Sequence, residues 1–132
     1  MKVLFTALFA VATLAVSASR VCAAEMAEGD KKFLAQYEQV RAALAADDLA
    51  LTQKAAAEMG EEGAALAKCE ALTTARTEFA KLSERAIKLA HGESGYYVMN
   101  CPMLKKDWVQ TNQKISNPYA GRAMLTCGMI KP

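Results

Sequence analysis

Histidine and tryptophan each occur once in this 132-residue chain, as His91 and Trp108, and proline occurs three times. A single histidine rules out the His-Glu-x-x-His signature of zinc proteases. The four cysteines, Cys22, Cys69, Cys101 and Cys127, include no Cys-x-x-Cys pair. That argues against a zinc ribbon and against a thioredoxin-like redox centre. There is no Gly-x-Ser-x-Gly elbow and no glycine-rich phosphate loop. His91 with a cysteine could pair as base and nucleophile, but nothing supplies an orienting group or an oxyanion site, so no enzymatic activity is expected. Internal repeats and low-complexity linkers are absent as well.

One long apolar run is present, at the start. Lys2 is followed by VLFTALFAVATLAVSA and then by the small residues of SRVCAAE. This is the three-part layout of a secretory signal, short for a membrane span, which needs about 20 apolar residues. Cleavage after Ala24 is expected, leaving one domain over 25–132 in the periplasm. Loss of Lys2 and Arg20 then leaves 14 basic against 14 acidic residues. A neutral chain without a basic face gives no reason to expect nucleic acid or a membrane surface as partner.

Residues 25–92 read as helices rich in Ala, Leu and Glu. Phe33, Tyr37, Val40 and Leu44 form one apolar stripe, predicting a helix over 31–46 with Asp30 as its cap. Asp47 and Asp48 make a polar turn, and Asp48 can cap a second helix with Leu51, Ala55 and Met59 on one face. Gly60 and Gly63 break that helix, each costing roughly 1 kcal/mol against alanine. Leu72, Ala75, Phe79, Leu82, Ala86 and Leu89 predict a third helix, capped by Thr73 or Thr74 and ending before Gly92, with Arg76 on its outer face. Short connections imply an up-down three-helix antiparallel bundle.

From 93 to 132 the text changes. Two cysteines (Cys101, Cys127), four methionines (Met99, Met103, Met124, Met129) and Trp108 crowd into it. YYVMNC is strand-prone, Asn117-Pro118 marks a turn, and 126–130 reads as a last short strand. The expectation is a two-stranded, hairpin-like and otherwise irregular cap with Cys101 and Cys127 at its base. Thiolate and thioether ligands select Cu(I). Cys101, Met103, Cys127 and Met124 are the candidate ligands, with His91 near enough in sequence to join them. Two cysteines in an oxidising compartment also pair readily. A Cys101–Cys127 bridge would close a loop of about 26 residues and contribute on the order of 3 kcal/mol. Composition leaves both readings open. His91 also reads as a helix-end residue, Trp108 as a core anchor and Cys69 as a small buried residue.

The segment CPMLKKDW…ISNPYAGRAMLTCG resembles the exported bacterial domain family DUF3347, which also occurs attached to copper-exporting efflux adaptors. The matching positions are Cys101-Pro102-Met103, Trp108, Asn117-Pro118-Tyr119, Gly121, Met124-Leu125 and Cys127-Gly128. The upstream phrases YEQVRAALAADDL and FAKLSERAIKLA resemble its helical part, whereas Leu104–Asp107 is more charged than the family's loop. The resemblance implies a periplasmic helical domain tied to copper or other heavy-metal handling. A heavy-metal efflux adaptor, or another periplasmic protein, is then the expected partner. Copper(I) is the first expected ion, zinc the second. The alternative is a non-catalytic scaffold domain whose Cys101–Cys127 disulfide makes a rigid cap.

Overall fold

A computed structural model describes residues 25–132; the expected signal peptide, 1–24, lies outside the described residues. Helix α1 spans Glu28–Ala45. It begins three residues before the predicted start, and Asp30 does not cap it. The carboxylates of Glu28 and Asp30 instead occupy the first turn, where the helix dipole favours negative charge, and Asp30 also pairs with Arg85 at 3.1 Å. The predicted stripe is the buried one: Phe33, Tyr37, Val40 and Leu44 all enter the core.

Helix α2 spans Leu49–Glu58, and Asp48 caps it, its Oδ1 accepting the Leu51 N–H at 2.8 Å. The buried face differs from the predicted one by one position. Thr52, Ala55, Ala56 and Met59 face inward and Leu51 is exposed. The Thr52 hydroxyl can be buried because it donates to the Asp48 carbonyl at 2.6 Å. The predicted break follows, as a 3-10 turn over Gly60–Gly63 and a single turn of helix, α3, at Ala64–Ala67. Cys69 is partly exposed at its end, its thiol 3.4 Å from the Ala65 carbonyl.

Helix α4 spans Leu72–Ala90 and buries Ala75, Phe79, Leu82, Ser83, Ala86 and Ala90. Neither Thr73 nor Thr74 caps it. Ala71 holds the cap position, and the Thr74 hydroxyl turns back to donate to the Ala71 carbonyl at 2.8 Å. Past its end Gly92 takes a φ of +79°, the left-handed geometry that glycine allows.

The rest of the described chain forms three strands, not the predicted two. β1 (Tyr97–Cys101) and β2 (Lys106–Gln110) form an antiparallel hairpin with Met99 opposite Trp108 and Cys101 opposite Lys106. Pro102–Lys105 closes it, with Lys105 at φ +52°. β3 (Met129–Ile130) pairs with the other edge of β1, so the order is β2-β1-β3. Cys101 therefore lies at the loop end of the hairpin. Trp108 and Val109 bury against the helical layer, and α1, α4 and β2 share one apolar core. Among the described residues the architecture is mainly helical with a small antiparallel sheet. No described helix is long and apolar enough to cross a membrane.

Candidate thiol and soft-metal site

Two loops build the site. The first is the hairpin turn after Cys101. Proline at position 102 fixes φ and favours the tight turn. The turn leaves the backbone N–H groups of Leu104 and Met103 beside the Cys101 sulfur, with the Asn117 side chain nearby in the second loop. Cys101 itself is fully buried. Burial pushes its thiol up, but hydrogen bonds from Cys127, Leu104, Met103 and Asn117 outweigh that and bring it below the ordinary cysteine value.

The second loop runs from Asn117 to Gly128 and is braced by Asn117, whose side chain is buried. Its Nδ2 donates to the Cys127 carbonyl at 2.9 Å, and its Oδ1 accepts from Tyr119 N–H at 2.9 Å and Ala120 N–H at 3.2 Å. Its own N–H donates to the Leu125 carbonyl at 2.8 Å. One side chain thus ties both ends of the loop together. The glycines have equally concrete reasons. Gly121 sits at φ +57° against the Asp47–Arg76 ion pair, where a Cβ would collide with both side chains. Gly128 lies under Trp108, and a Cβ there would come within 2.9 Å of the indole Cη2.

Arg76, expected on an outer face, instead clamps this loop to the helices. It donates to the Pro118 carbonyl at 2.8 Å, to the Leu44 carbonyl at 3.0 Å and to Asp47 at 2.5 Å. Asp47 closes the clamp by accepting the Arg122 N–H at 2.9 Å. That backbone bond, then Arg76, holds the Asp47 carboxyl below the usual carboxylate range. The reading of Asp47 and Asp48 as turn and cap thus gains a tertiary role for Asp47.

The two loops bring Cys101 and Cys127 into contact, Sγ to Sγ 2.8 Å. Cys127 is partly exposed, whereas Cys101 is not. Its hydrogen bond to Cys101, helped by burial, holds the Cys127 thiol above its ordinary value. All three described cysteines are free.

The other sequence candidates divide. Met124 is half-buried one turn before Cys127, and its carbonyl accepts the Cys127 N–H at 3.0 Å. Met103 sits in the hairpin turn with its side chain in solvent, 73% exposed. His91 is not brought to the thiols. It lines a shallow groove with Tyr96, Tyr97 and Ile130 at the opposite end of β1. Tyr97 and Cys101 are about 13 Å apart along the strand at 3.3 Å per residue. Met99 is core. Among the described residues no three His, Cys, Asp or Glu side chains gather to hold an ion.

A buried polar network behind the site escaped the sequence reading. Tyr37 Oη meets Ser83 Oγ at 2.7 Å, Tyr119 donates to the same Ser83 oxygen at 2.9 Å, and Val109 N–H donates to Tyr37 at 3.3 Å. Burial and the neighbouring Asp107 push the Tyr119 hydroxyl up to about 12. Gln110, also buried, accepts from Trp108 Nε1 at 3.0 Å and donates to the Lys114 carbonyl at 2.7 Å. Tyr37 reads as core in the sequence and Gln110 carries no local signal, so only tertiary contact reveals these bonds. Every buried side-chain nitrogen and oxygen among the described residues has a partner. The buried polar side chains of the described residues are thus satisfied within the fold.

No family model, curated protein or solved structure matches the chain. Its function is therefore argued from this site.

Proposed function

We propose that the chain is an exported, non-enzymatic soft-metal protein that buffers or delivers copper(I) in the periplasm. Cys101 and Cys127 are the principal ligands. The observation that carries this reading is the thiol pair: two sulfurs in contact, one of them surrounded by N–H donors that favour its thiolate. Thiolate is the ligating form, and soft sulfur selects Cu(I).

The residues fit such an ion with one adjustment. Metal–sulfur bonds of about 2.3 Å set two thiolates roughly 3.7 to 4.6 Å apart, so the pair must open by about 1 to 2 Å. Cys101 is fixed by its turn, and Cys127, at the exposed end of its loop, is the side that moves. Met124, three residues before Cys127, and Met103, two after Cys101, are the thioethers that would join them. Zinc fits less well, because it takes four ligands and His91 is elsewhere. A bound soft cation would exchange thiolate and thioether ligands with a partner's sulfur groups. For this chain's own residues the role is to bind and to exclude water, with Trp108 and Tyr119 walling the inner side. A helical platform suits that role; we read it as an up-down three-helix antiparallel bundle over 25–92 with the cap over 93–132. A heavy-metal efflux adaptor or another periplasmic protein is the partner this role calls for.

The 2.8 Å contact also favours a second reading, a scaffold domain with a Cys101–Cys127 disulfide. Competition for Cu(I) against a coloured chelator, under anaerobic reducing conditions, separates the two. Tight binding lost in both Cys101→Ser and Cys127→Ser, and kept in His91→Ala, supports the metal reading. Retention in both serine variants overturns it.

A further inference from the structure

The two sulfurs are not equivalent. Cys101 has no solvent-exposed surface, while Cys127, at its side, is partly exposed. A disulfide reagent arriving from solvent can line up on Cys127 and cannot reach Cys101. We propose that the pair undergoes reversible thiol–disulfide exchange in a fixed order, with Cys127 reacting first and Cys101 resolving. This rests on the thiol site described above but not on any metal.

The co-reactant is a low-molecular-weight disulfide of the glutathione type. The proton shared across the 2.8 Å contact passes to Cys101, and the exposed Cys127 thiolate attacks one sulfur of that disulfide. A mixed disulfide forms on Cys127, the reagent's S–S bond breaks, and its first thiolate leaves and takes up a proton. Cys101, already in contact at 2.8 Å, then attacks the Cys127 sulfur. The intramolecular bond forms and the second reagent thiolate leaves. Two protein thiols are oxidised and one disulfide is reduced to two thiols. Exchange requires the attacking and attacked sulfurs to align, so access decides which cysteine begins. The neighbouring Cys101 then makes the second step intramolecular, with the rate advantage that held geometry confers.

The order has a consequence for ligand binding. The closed disulfide offers no thiolate, so oxidation releases a soft ion and reduction restores the site.

The test uses the metal-free full chain in a Cys69→Ser background, exposed briefly to oxidised glutathione, quenched with acid and mapped by mass spectrometry. Cys101→Ser is expected to accumulate the glutathione adduct on Cys127. Cys127→Ser is expected to react roughly tenfold or more slowly, because its remaining thiol is buried. The parent should lose two hydrogens without accumulating an adduct. Limited alkylation of that reduced parent, folded throughout, should label Cys127 before Cys101. Equal rates in the two serine variants, or first labelling at Cys101, overturns the order. Failure to bind copper with the order intact would overturn the metal reading alone.

Discussion

Asn117 Nδ2 donates to the Cys127 carbonyl at 2.9 Å, so the buried amide that opens the second loop also holds its cysteine end. The same amide supports the Cys101 sulfur. Asn117→Ala removes these bonds and strands the N–H groups of Tyr119 and Ala120. Loss of about 2 to 3 kcal/mol is expected, since unpaired buried donors cost that much. Urea denaturation measures it. The same variant should bind Cu(I) more weakly, because Cys127 loses its brace.

Gly121→Ala should be destabilising by about 1 to 3 kcal/mol. Its φ of +57° disfavours any Cβ, and that Cβ would displace the Asp47–Arg76 pair. Gly92→Ala is the control. It has a similar φ of +79° but open space around it, so it should cost less. Thermal melts of the two variants, compared directly, check this.

The Asp47 clamp predicts a dependence on acid. Its carboxyl lies below the usual carboxylate range when folded, held there first by Arg122 N–H and then by Arg76. A depressed folded value contributes stability above the unfolded pKa and loses it as pH falls through the folded one. Stability of the parent should therefore decline below about pH 4, with part of that slope absent in Asp47→Asn. Denaturation midpoints between neutral pH and about pH 2.5 provide the comparison.

Oxidation of the thiol pair should raise stability. Closing a loop of about 26 residues contributes on the order of 3 kcal/mol in the chain-entropy view. The oxidised parent should melt above the reduced parent, and Cys101→Ser should show no such difference.

Some of this was legible in the sequence. The stripes of α1 and α4, the Asp48 cap, the break at Gly60–Gly63 and the turn at Asn117-Pro118 follow from local periodicity and turn chemistry. Those signals act within a few residues. What they could not reveal depends on residues distant in sequence. Arg76 looked like an outer-face cation because its partners, Asp47 and the Pro118 carbonyl, lie 29 and 42 positions away. Leu51 reads as inward because it is apolar, yet Thr52 takes the buried position, its hydroxyl finding a local acceptor in the Asp48 carbonyl. The last strand, β3, falls within the expected 126–130, and the strand beyond the expected two is β2, because the polar Lys106, Asp107 and Gln110 let 105–110 read equally as a turn or a short strand. Of the five candidate ligands, the fold brings Cys101 and Cys127 into contact. His91 is ten residues from Cys101 in sequence but lies past the end of α4, beside the opposite end of β1.

The central claim is that Cys101 and Cys127 together hold a soft ion. The most direct measurement is metal content and free-thiol count on the full chain, purified anaerobically from copper-supplemented cells. The account predicts about one copper per chain. It also predicts Cys101 and Cys127 reduced, and both copper and tight Cu(I) binding lost when either becomes serine. Copper-free protein with Cys101 and Cys127 joined, unable to bind Cu(I) even after reduction, would contradict it.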